Sequence, residues 1–420
     1  MVRARPLGST KQVPERGVFG SDDEPVVVGS ATLRDHPREG PDRQLARRLQ
    51  EAAHDLEALA LERVRARLPA QLLDQQRQPA AGGERGTVRE DGAADPDRGA
   101  LDVAGLAQGA TPGVAHATLT YTGTLATGGT IHGTDGSTTP LPAGSLTQFA
   151  ALGDGWVADV VDPDTGEEMV FVLKADGSHG TPYAVEGGLA VSHGGNVVAW
   201  TGVDGTVYTA HAETDEILTM PKVPQGAGTY RTVGVSSEDC KEGRSSDAGC
   251  TVYVNSGGKV YAVTSHGIVD QLPKMLAATT SEGPLLGGMY SVSEDPAGSC
   301  SRMLQGWRKT LWRTCDHTLD VIAPDAAHLV GLPAYLDGFG PKTLAILSME
   351  DGSVVRSWSG TARSATYFDQ VWEDDAHLLV RTFQGRRWAV VRVGVDGSLE
   401  YAVAPVKADS LESPWLLETR

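Results

Sequence analysis

Residues 162–168, Asp-Pro-Asp-Thr-Gly-Glu-Glu, gather four carboxylates within seven positions. Carboxylate oxygens are ligands that Ca²⁺ prefers, so Asp162 and Asp164 are candidate metal ligands. The Asp-x-Asp-x-Asp-Gly spacing of a calcium loop is absent, however, and this mixture of Asp, Pro and Gly is typical of a hairpin turn. We therefore predict a turn here and no bound metal.

A basic and aromatic cluster lies around position 310, in an otherwise acidic part of the chain. It consists of Trp307, Arg308, Lys309, Trp312 and Arg313. Tryptophan and arginine often anchor binding interfaces, so this cluster could hold an acidic peptide or a sugar. The alternative interpretation is an outer strand whose cations are simply solvated.

A long loop with aromatic side chains is predicted at residues 332–341, Leu-Pro-Ala-Tyr-Leu-Asp-Gly-Phe-Gly-Pro. Loops displayed on a rigid scaffold often carry its binding residues. We expect Tyr335 and Phe339 to border a binding surface.

The four cysteines are Cys240, Cys250, Cys300 and Cys315. Four cysteines allow three pairings, and proximity in the sequence favours Cys240–Cys250 and Cys300–Cys315. No Cys-x-x-Cys spacing supports a metal site, and free buried thiols are the alternative. Two disulfides would place the protein at the cell envelope or outside the cell. A cytoplasmic location is the alternative, because the chain shows no export signal.

The composition indicates a turn-rich β protein, since the 420 residues include 51 glycines and 23 prolines and only 21% are charged. After residue 100 the chain holds 20 basic and 37 acidic side chains, a net charge of −17. This charge argues against nucleic acid as a partner, because a phosphate backbone must be neutralised by Lys and Arg. No apolar stretch reaches the roughly 18 residues of a membrane helix. We expect a monomer whose ligand is a protein, a peptide or a carbohydrate.

Residues 1–100 differ from the rest of the chain. Segments 1–40 and 70–100 are rich in Arg, Gly, Pro, Asp and Gln, and they hold too few large apolar side chains to offset the entropy of ordering. We predict that they are mostly disordered. Between them, apolar residues recur every three or four positions and predict one amphipathic helix at about 42–68. That helix could dock on a partner or a membrane surface, or it could be marginal and pack against nothing.

An internal repeat decides the fold class. Asp-Gly-Ser occurs four times, starting at Asp135, Asp176, Asp351 and Asp396. The gaps are 41, 175 and 45 residues, and 175 is about four units of 44, which is the length of a four-stranded propeller blade. Weaker turns fill the long interval at 214–216, 266–267 and 316–317. The sequence therefore predicts an all-β, seven-bladed β-propeller, with six or eight blades as alternatives.

Short β-branched or aromatic runs bounded by Gly, Asp or Asn supply the strands of this propeller. They group into blades at about 144–185, 186–222, 228–273, 283–321, 322–360 and 362–405. The remaining blade needs both ends of the domain, residues 114–142 and the apolar strand 414–419. Pairing these would close residues 101–420 into a ring and remove an exposed sheet edge. Deletion of residues 412–420 should then destabilise the whole ring.

The turn Ala323-Pro-Asp-Ala326 and the Asp-Gly-Ser turns resemble those of WD-repeat-like (WD40) and TolB-type β-propellers. The segments Ser299-Cys-Ser301, Trp312-Arg-Thr-Cys-Asp316 and Leu329-Val-Gly-Leu-Pro333 resemble a group of actinobacterial propellers. This resemblance covers residues 101–420 and implies an exported propeller behind a short N-terminal segment and a transmembrane helix. Residues 49–56 are similar to that leading segment, but no membrane helix follows them here.

No nucleophile elbow, Walker loop, dinucleotide fingerprint or zinc-binding His-Glu-x-x-His is present in the sequence, so we predict no cofactor. The leading hypothesis is a non-catalytic binding module at the cell envelope that uses its face loops and the mouth of its central channel. The alternative is a propeller-type lyase, lactonase or hydrolase whose site is assembled at the channel from several blades. Polar or acidic residues with shifted pKa values that converge around the axis would favour the enzyme.

Overall fold

The computed structural model describes residues 98–100 and 105–420, apart from 123–124, 215, 225, 227–228, 241–248, 295–296, 307, 335–339, 360–365 and 409–411. The helix predicted at 42–68 lies outside the described residues, as does most of the sequence expected to be disordered. Residues 98–100, at the end of that sequence, form a strand.

The described residues form a seven-bladed β-propeller and contain no helix, which confirms the predicted fold class. The first strands in the chain are β1 (Arg98–Ala100), β2 (His116–Thr122), β3 (Leu125–His132) and β4 (Thr138–Pro140). Blade 2 consists of β5 (Ser145–Leu152), β6 (Gly155–Val161), β7 (Glu168–Leu173) and β8 (Tyr183–Val185). Blade 3 consists of β9 (Ala190–Val191), β10 (Val197–Thr201), β11 (Thr206–His211) and β12 (Ile217–Lys222). Blade 4 consists of β13 (Tyr230–Val235), β14 (Thr251–Ser256), β15 (Lys259–Thr264) and β16 (Val269–Gln271).

The remaining strands complete the ring. Blade 5 consists of β17 (Ala277–Glu282), β18 (Leu285–Glu294), β19 (Ala297–Gln305) and β20 (Lys309–Thr314). Blade 6 consists of β21 (His317–Ile322), β22 (His328–Pro333), β23 (Thr343–Ser348) and β24 (Val354–Ser359). Blade 7 consists of β25 (Thr366–Trp372), β26 (His377–Gln384), β27 (Arg387–Gly394) and β28 (Leu399–Lys407). The last strand is β29 (Trp415–Leu417), which joins β2, β3 and β4 to form blade 1.

In blades 2 to 7 the chain runs from the innermost of the four strands, at the channel, to the outermost of the four, at the rim. Four antiparallel strands return the chain to the side on which the blade began, so all innermost strands run in the same direction. We name the side on which they begin the start face and the opposite side the end face.

Blade 1 joins the two ends of the ring. Its innermost strand is β29, in which residues 415–417 pair antiparallel with residues 116–118 of β2. The hydroxyl of Tyr121 adds a hydrogen bond of 2.7 Å to the carbonyl of Ser413. The inner edge of β2 is therefore paired rather than open to another chain.

A lead segment, residues 98–100 and 105–113, follows the outer rims of blades 6 and 7 before the chain enters blade 1. Its strand β1 pairs in parallel with β24 as the fifth strand of blade 6. Further along, Gln108 forms a parallel bridge with Tyr401 of β28. The lead segment thus covers part of the outer edges of two blades.

The Asp-Gly-Ser repeat has a conformational cause. All four copies connect the third and fourth strands of a blade, and in each the Asp Oδ1 accepts a hydrogen bond of 2.8–3.0 Å from the Ser amide. The four glycines have φ between +76° and +93°, a conformation that side chains with a Cβ rarely adopt. The repeat therefore marks one turn of the blade, and the conformation of that turn explains its residues without a bound ligand.

Two predicted positions within the repeat are wrong. Residues 316–317 were expected to form the same turn in blade 5, but they lie where β20 passes into β21, and the connection between the third and fourth strands of blade 5 lies between Gln305 and Lys309. Blade 5, expected at 283–321, begins at Ala277, and β21 belongs to blade 6. The innermost strand 277–282 was missed because its sequence, Ala-Ala-Thr-Thr-Ser-Glu, lines the channel and lacks the apolar run typical of a buried strand.

Tryptophans pack between neighbouring blades. The structure describes seven of them, all buried: Trp156, Trp200, Trp312, Trp358, Trp372, Trp388 and Trp415. Some of them also form hydrogen bonds to a neighbouring blade. The indole of Trp372 donates to the carbonyl of Val321 at 3.1 Å, and that of Trp156 donates to Thr139 Oγ1 at 3.1 Å. A buried aromatic side chain of this kind contributes about 1.5–3 kcal/mol, so the indoles help to hold the blades together and preserve the channel.

Candidate functional site

The innermost strands enclose a central channel of about 850 Å³. Its wall is formed by β5, β9, β13, β17, β21 and β25 and by residues 418–420, which follow β29, so every blade contributes. This volume lies within the roughly 300–1,000 Å³ of small-molecule sites. The channel can therefore hold a small ligand or a short peptide segment, but not a folded partner.

Two charged side chains face the channel from different blades. Arg231 lies on β13 in blade 4, and Asp320 lies on β21 in blade 6. Burial raises the pKa of Asp320 to about 6, and the carboxylate of Asp369 adds to this rise while Arg231 opposes it. Among the residues that the structure describes, neither Arg231 nor Asp320 forms an ion pair. The wall thus presents one unpaired charge of each sign.

The neighbouring acid, Asp369, is already engaged. Its Oδ2 lies 2.7 Å from Nη2 of Arg381, and Arg381 also donates from Nη1 to the carbonyl of Trp415 at 2.7 Å. The same guanidinium carbon lies 5.5 Å from the centroid of the Trp388 ring. This ion pair therefore supports the contact between blade 7 and blade 1.

A hydrogen-bonded rim surrounds the channel mouth at the end face. The Glu238 carboxylate accepts hydrogen bonds from Ser192 Oγ at 2.8 Å and from the amide of Gly194 at 2.5 Å. In the same turn, His193 of blade 3 contacts Glu282 of blade 5. Burial acts to raise the pKa of Glu238, but its hydrogen bonds lower it overall, whereas burial raises the pKa of Glu282. These side chains fix the turn and bridge across the mouth.

The described wall is suited to charge recognition. The rim carboxylates are held by turn amides, a serine and a histidine, and Asp369 is held by Arg381. The described residues contain no group of three or more His, Cys, Asp and Glu side chains that could hold a metal ion. Asp320 and Arg231 therefore remain available to a ligand. A carboxylate and a guanidinium each form strong charge-assisted hydrogen bonds to groups of opposite charge.

Arg231 and Asp320 were missed by sequence reasoning. Each is a single charged residue in the middle of a strand, and the two strands are about ninety positions apart in the chain. No local motif connects them, because only the closing of the ring brings them to one channel. The one available signal is a charged residue in an innermost strand, and this signal requires the strand order to be known.

The residues of the basic and aromatic cluster predicted around position 310 do not share one surface in the structure. Trp312 is only 8% exposed and its indole donates to a carbonyl of blade 6, so it belongs to the core rather than to a binding surface. Arg308, Lys309 and Arg313 are exposed at the last turn and outer strand of blade 5. Trp307 lies outside the described residues.

The predicted aromatic loop connects β22 to β23 at the start face. Tyr335 and Phe339 lie outside the described residues, so their role as a binding surface stays a prediction. Just before them, the Ala334 carbonyl accepts a hydrogen bond of 3.1 Å from Ser299 Oγ of blade 5. The loop therefore starts from a point that is fixed to the neighbouring blade.

The acidic segment 162–168 is a hairpin turn between β6 and β7. The Oδ1 atom of Asp162 accepts hydrogen bonds from the amides of Thr165 at 2.9 Å and Asp164 at 2.8 Å. These hydrogen bonds lower the pKa of Asp162. The two candidate metal ligands therefore belong to a turn that its own backbone stabilises.

Both predicted disulfides are present. Cys240 pairs with Cys250 and Cys300 pairs with Cys315, with Cα–Cα distances of 4.7 and 4.0 Å. Disulfides persist in oxidising compartments, so the two bridges suggest an extracellular environment. No helix in the described part of the chain has the length and apolar character needed to cross a membrane.

No protein-family model and no curated protein matches the chain. Similar solved structures include Hsv2 from Kluyveromyces lactis, which is 9% identical, with 67% of this chain and 94% of that chain covered and a TM-score of 0.41. The β-propeller domain of the Trilobed protease from Pyrococcus furiosus is 9% identical, with 62% and 85% covered and a TM-score of 0.43. YCF48 bound to a D1 peptide is 12% identical, with 61% and 82% covered and a TM-score of 0.41. These similarities concern the fold alone.

Proposed function

We propose that this protein is a non-catalytic recognition module that binds a charged peptide segment in its central channel. One observation carries the proposal: Arg231 and Asp320 face the channel from different blades, and neither has an ion-pair partner in the described wall. Arg231 is exposed and Asp320 is half-buried, so both remain accessible from the channel. A ligand that carries both an acidic and a basic group could form charge-assisted hydrogen bonds with the two side chains.

The size and charge of the channel favour a peptide over a neutral carbohydrate. A sugar without charged groups would leave both Arg231 and Asp320 unpaired. A peptide with neighbouring acidic and basic side chains could pair a carboxylate with the fork of Arg231 and an ammonium group with Asp320. The cavity of about 850 Å³ accommodates a few such side chains.

The start face is the proposed side of approach. Arg231 is the second residue of β13 and therefore lies near this face. The loop that contains Tyr335 and Phe339 begins and ends on the same side, so these aromatics are proposed to extend the contact beyond the channel. Arg308 lies in a turn at the end face and Lys309 opens the strand that follows it, so these cations would serve a separate contact.

The proposal is tested on an array of 12-residue peptides in four classes: acidic, basic, neutral polar, and mixed Lys and Glu. We expect the mixed class to retain the wild-type protein most strongly. R231M and D320N should each weaken this binding about tenfold, which corresponds to the loss of roughly 1.4 kcal/mol. R387M and D270N, which change exposed charges outside the channel wall, should bind as the wild type does. Equal binding by the channel variants, or retention by no peptide class, would contradict the proposal.

We further propose that the protein is exported or held at the cell envelope, and the two disulfides support this location. The test is intact mass with and without reduction and alkylation, after the native host is separated into cytoplasm, membrane and medium. Two disulfides in the membrane or medium fraction are expected. Four free thiols on a cytoplasmic chain would exclude this location.

A further inference from the structure

We infer that Arg302, Arg313 and Tyr290 form a binding site for an oxyanion on blade 5, separate from the channel. These residues lie on three neighbouring strands, β19, β20 and β18. The guanidinium carbons of Arg302 and Arg313 lie 5.9 and 5.5 Å from the centroid of the Tyr290 ring. One aromatic ring therefore contacts two cations.

The strand register places the two arginines side by side. Arg302 and Arg313 are direct cross-strand partners, and like charges in this position destabilise a sheet. The disulfide Cys300–Cys315 lies two residues further along the same pair of strands. Because alternate residues share a face of a sheet, it lies on the same face as the arginines. A covalent bond thus holds two mutually repelling charges together.

In the described part of the chain neither arginine has a counter-ion, although the sequence beyond residue 100 has an acidic excess of 17 charges. Within the described residues no carboxylate pairs with Arg302 or Arg313. Arg302 is only 6% exposed and its Nε has no hydrogen-bond partner. Its Nη2 donates to the carbonyl of Pro273 at 2.8 Å. Burial, with a contribution from Arg313, lowers the pKa of Arg302, as is expected for a cation that lacks an anion.

Tyr290 reaches this position through an irregularity of the sheet. The register between β18 and β19 shifts between Met289 and Ser291, so Tyr290 is the extra residue of a β-bulge. Bulges redirect side chains and are frequent beside functional sites. Here the bulge brings the Tyr290 ring to 5.9 and 5.5 Å from the two guanidinium carbons. An exposed Arg313 and a buried Arg302 held beside one ring together suit a carboxylate or a phosphate.

The experiment is thermal unfolding of the full chain in acetate, inorganic phosphate and chloride at matched ionic strength. We expect a saturable rise in Tm with acetate or phosphate that chloride does not produce. A response to acetate alone assigns a carboxylate ligand, and a response to phosphate alone assigns a phosphate ligand. R313Q should raise the anion concentration needed for half of the effect at least tenfold, whereas R387M, which changes an exposed arginine outside both sites, should respond as the wild type does.

R313Q is chosen because Arg313 is exposed, so the core remains intact. Without added anion, this variant should melt no lower than the wild type, because one of two repelling charges is gone. The inference is overturned if acetate and phosphate act as chloride does, or if R313Q responds to them as the wild type does. It is also overturned if R313Q melts several degrees lower in chloride, since Arg313 would then be a structural residue.

Discussion

Arg392 in blade 7 and Arg302 in blade 5 are almost equally buried, at 7% and 6% exposure, but their surroundings are opposite. Arg392 forms ion pairs with Glu373 and Glu400, whereas Arg302 faces another arginine. Hydrogen bonding to Glu373 raises the pKa of Arg392, while burial lowers that of Arg302. The propeller therefore supplies counter-ions where Arg392 is structural, and the lack of them among the described residues of blade 5 marks a place for an external anion.

The structural role of Arg392 is to hold the lead segment. Its guanidinium donates to the carbonyls of Ala110 and Thr111 at 3.3 Å, and its partner Glu373 accepts a hydrogen bond from the amide of Gly113. Burial acts to raise the pKa of Glu373, but these hydrogen bonds lower it overall. The ion pairs of blade 7 thus fix the chain just before it enters blade 1.

The largest effect is expected for R392M. This change leaves Glu373 buried without its cation and should lower the free energy of unfolding by about 3–5 kcal/mol. R302M removes a cation that has no anion and should lower it by less than about 1 kcal/mol. Urea denaturation followed by far-UV circular dichroism measures both changes. Equal losses in the two variants would remove the proposed difference between the two blades.

The second effect concerns the disulfide beside the arginine pair. Replacing Cys300 and Cys315 by Ser should cost about 3 kcal/mol, because the bridge closes a loop of about 15 residues. In the R313Q background the cost should be larger by about 0.2–1 kcal/mol, because removal of the bridge then relieves no repulsion between the two strands.

A double-mutant cycle in thermal unfolding measures this coupling. The matched control is the replacement of Cys240 and Cys250 by Ser, whose cost should not depend on residue 313. Coupling of the same size for both disulfides would show that the repulsion is not local to blade 5.

The third effect concerns a buried acid whose neighbour is another acid, in contrast to Glu373, which pairs with Arg392. Asp159 of β6 is 1% exposed and interacts with Glu168 of β7. Burial first, and then Glu168, raise the pKa of Asp159 to about 8. Between pH of about 4 and 8 the folded state therefore keeps a proton that the unfolded chain releases. The free energy of unfolding must fall as pH rises through this interval.

D159N keeps a neutral side chain of the same shape at every pH. We expect this variant to lose most of the pH slope and to be about 1–3 kcal/mol more stable than the wild type at pH 8. Denaturation at pH 4.5, 6 and 8 tests the prediction. A wild type whose stability does not decrease over this range would refute it.

The smallest effect is expected at Asp320, whose pKa is raised to about 6. Its carboxylate is charged above that pH and loses its charge below it. Binding of mixed Lys and Glu peptides should therefore weaken about threefold to tenfold between pH 7 and pH 5, which is about 0.7–1.4 kcal/mol. D320N should bind weakly and equally at both values. If the wild type binds these peptides with the same affinity at pH 5 and pH 7, the charge of Asp320 does not contribute to recognition.

Sequence reasoning reached the seven-bladed ring and both disulfides, because these depend on local signals. The turn at Asp135 repeats in three other blades with the same hydrogen bond and the same glycine conformation, and each cysteine lies near its partner in the chain. Strand 277–282 was not recognised because a channel wall need not be apolar. Its blade was therefore placed about six residues too late.

The candidate sites depend on relations that a single sequence does not show. Arg231 and Asp320 meet only because the ring closes, and Tyr290 contacts two arginines only because a bulge redirects it. Trp312 was assigned to a binding surface on composition, although the same indole serves equally well as a core residue that bonds to the next blade. Residue type alone does not distinguish these two uses.

The distribution of tryptophans determines which parts of this molecule can be followed by fluorescence. Every blade except blade 4 contains at least one buried indole, so tryptophan emission reports on six blades, whereas blade 4, which carries Arg231, contains tyrosines but no tryptophan. Trp372 stands in the channel wall itself. A peptide seated beside it would quench or shift its emission, and occupancy of the channel could be read without an attached dye.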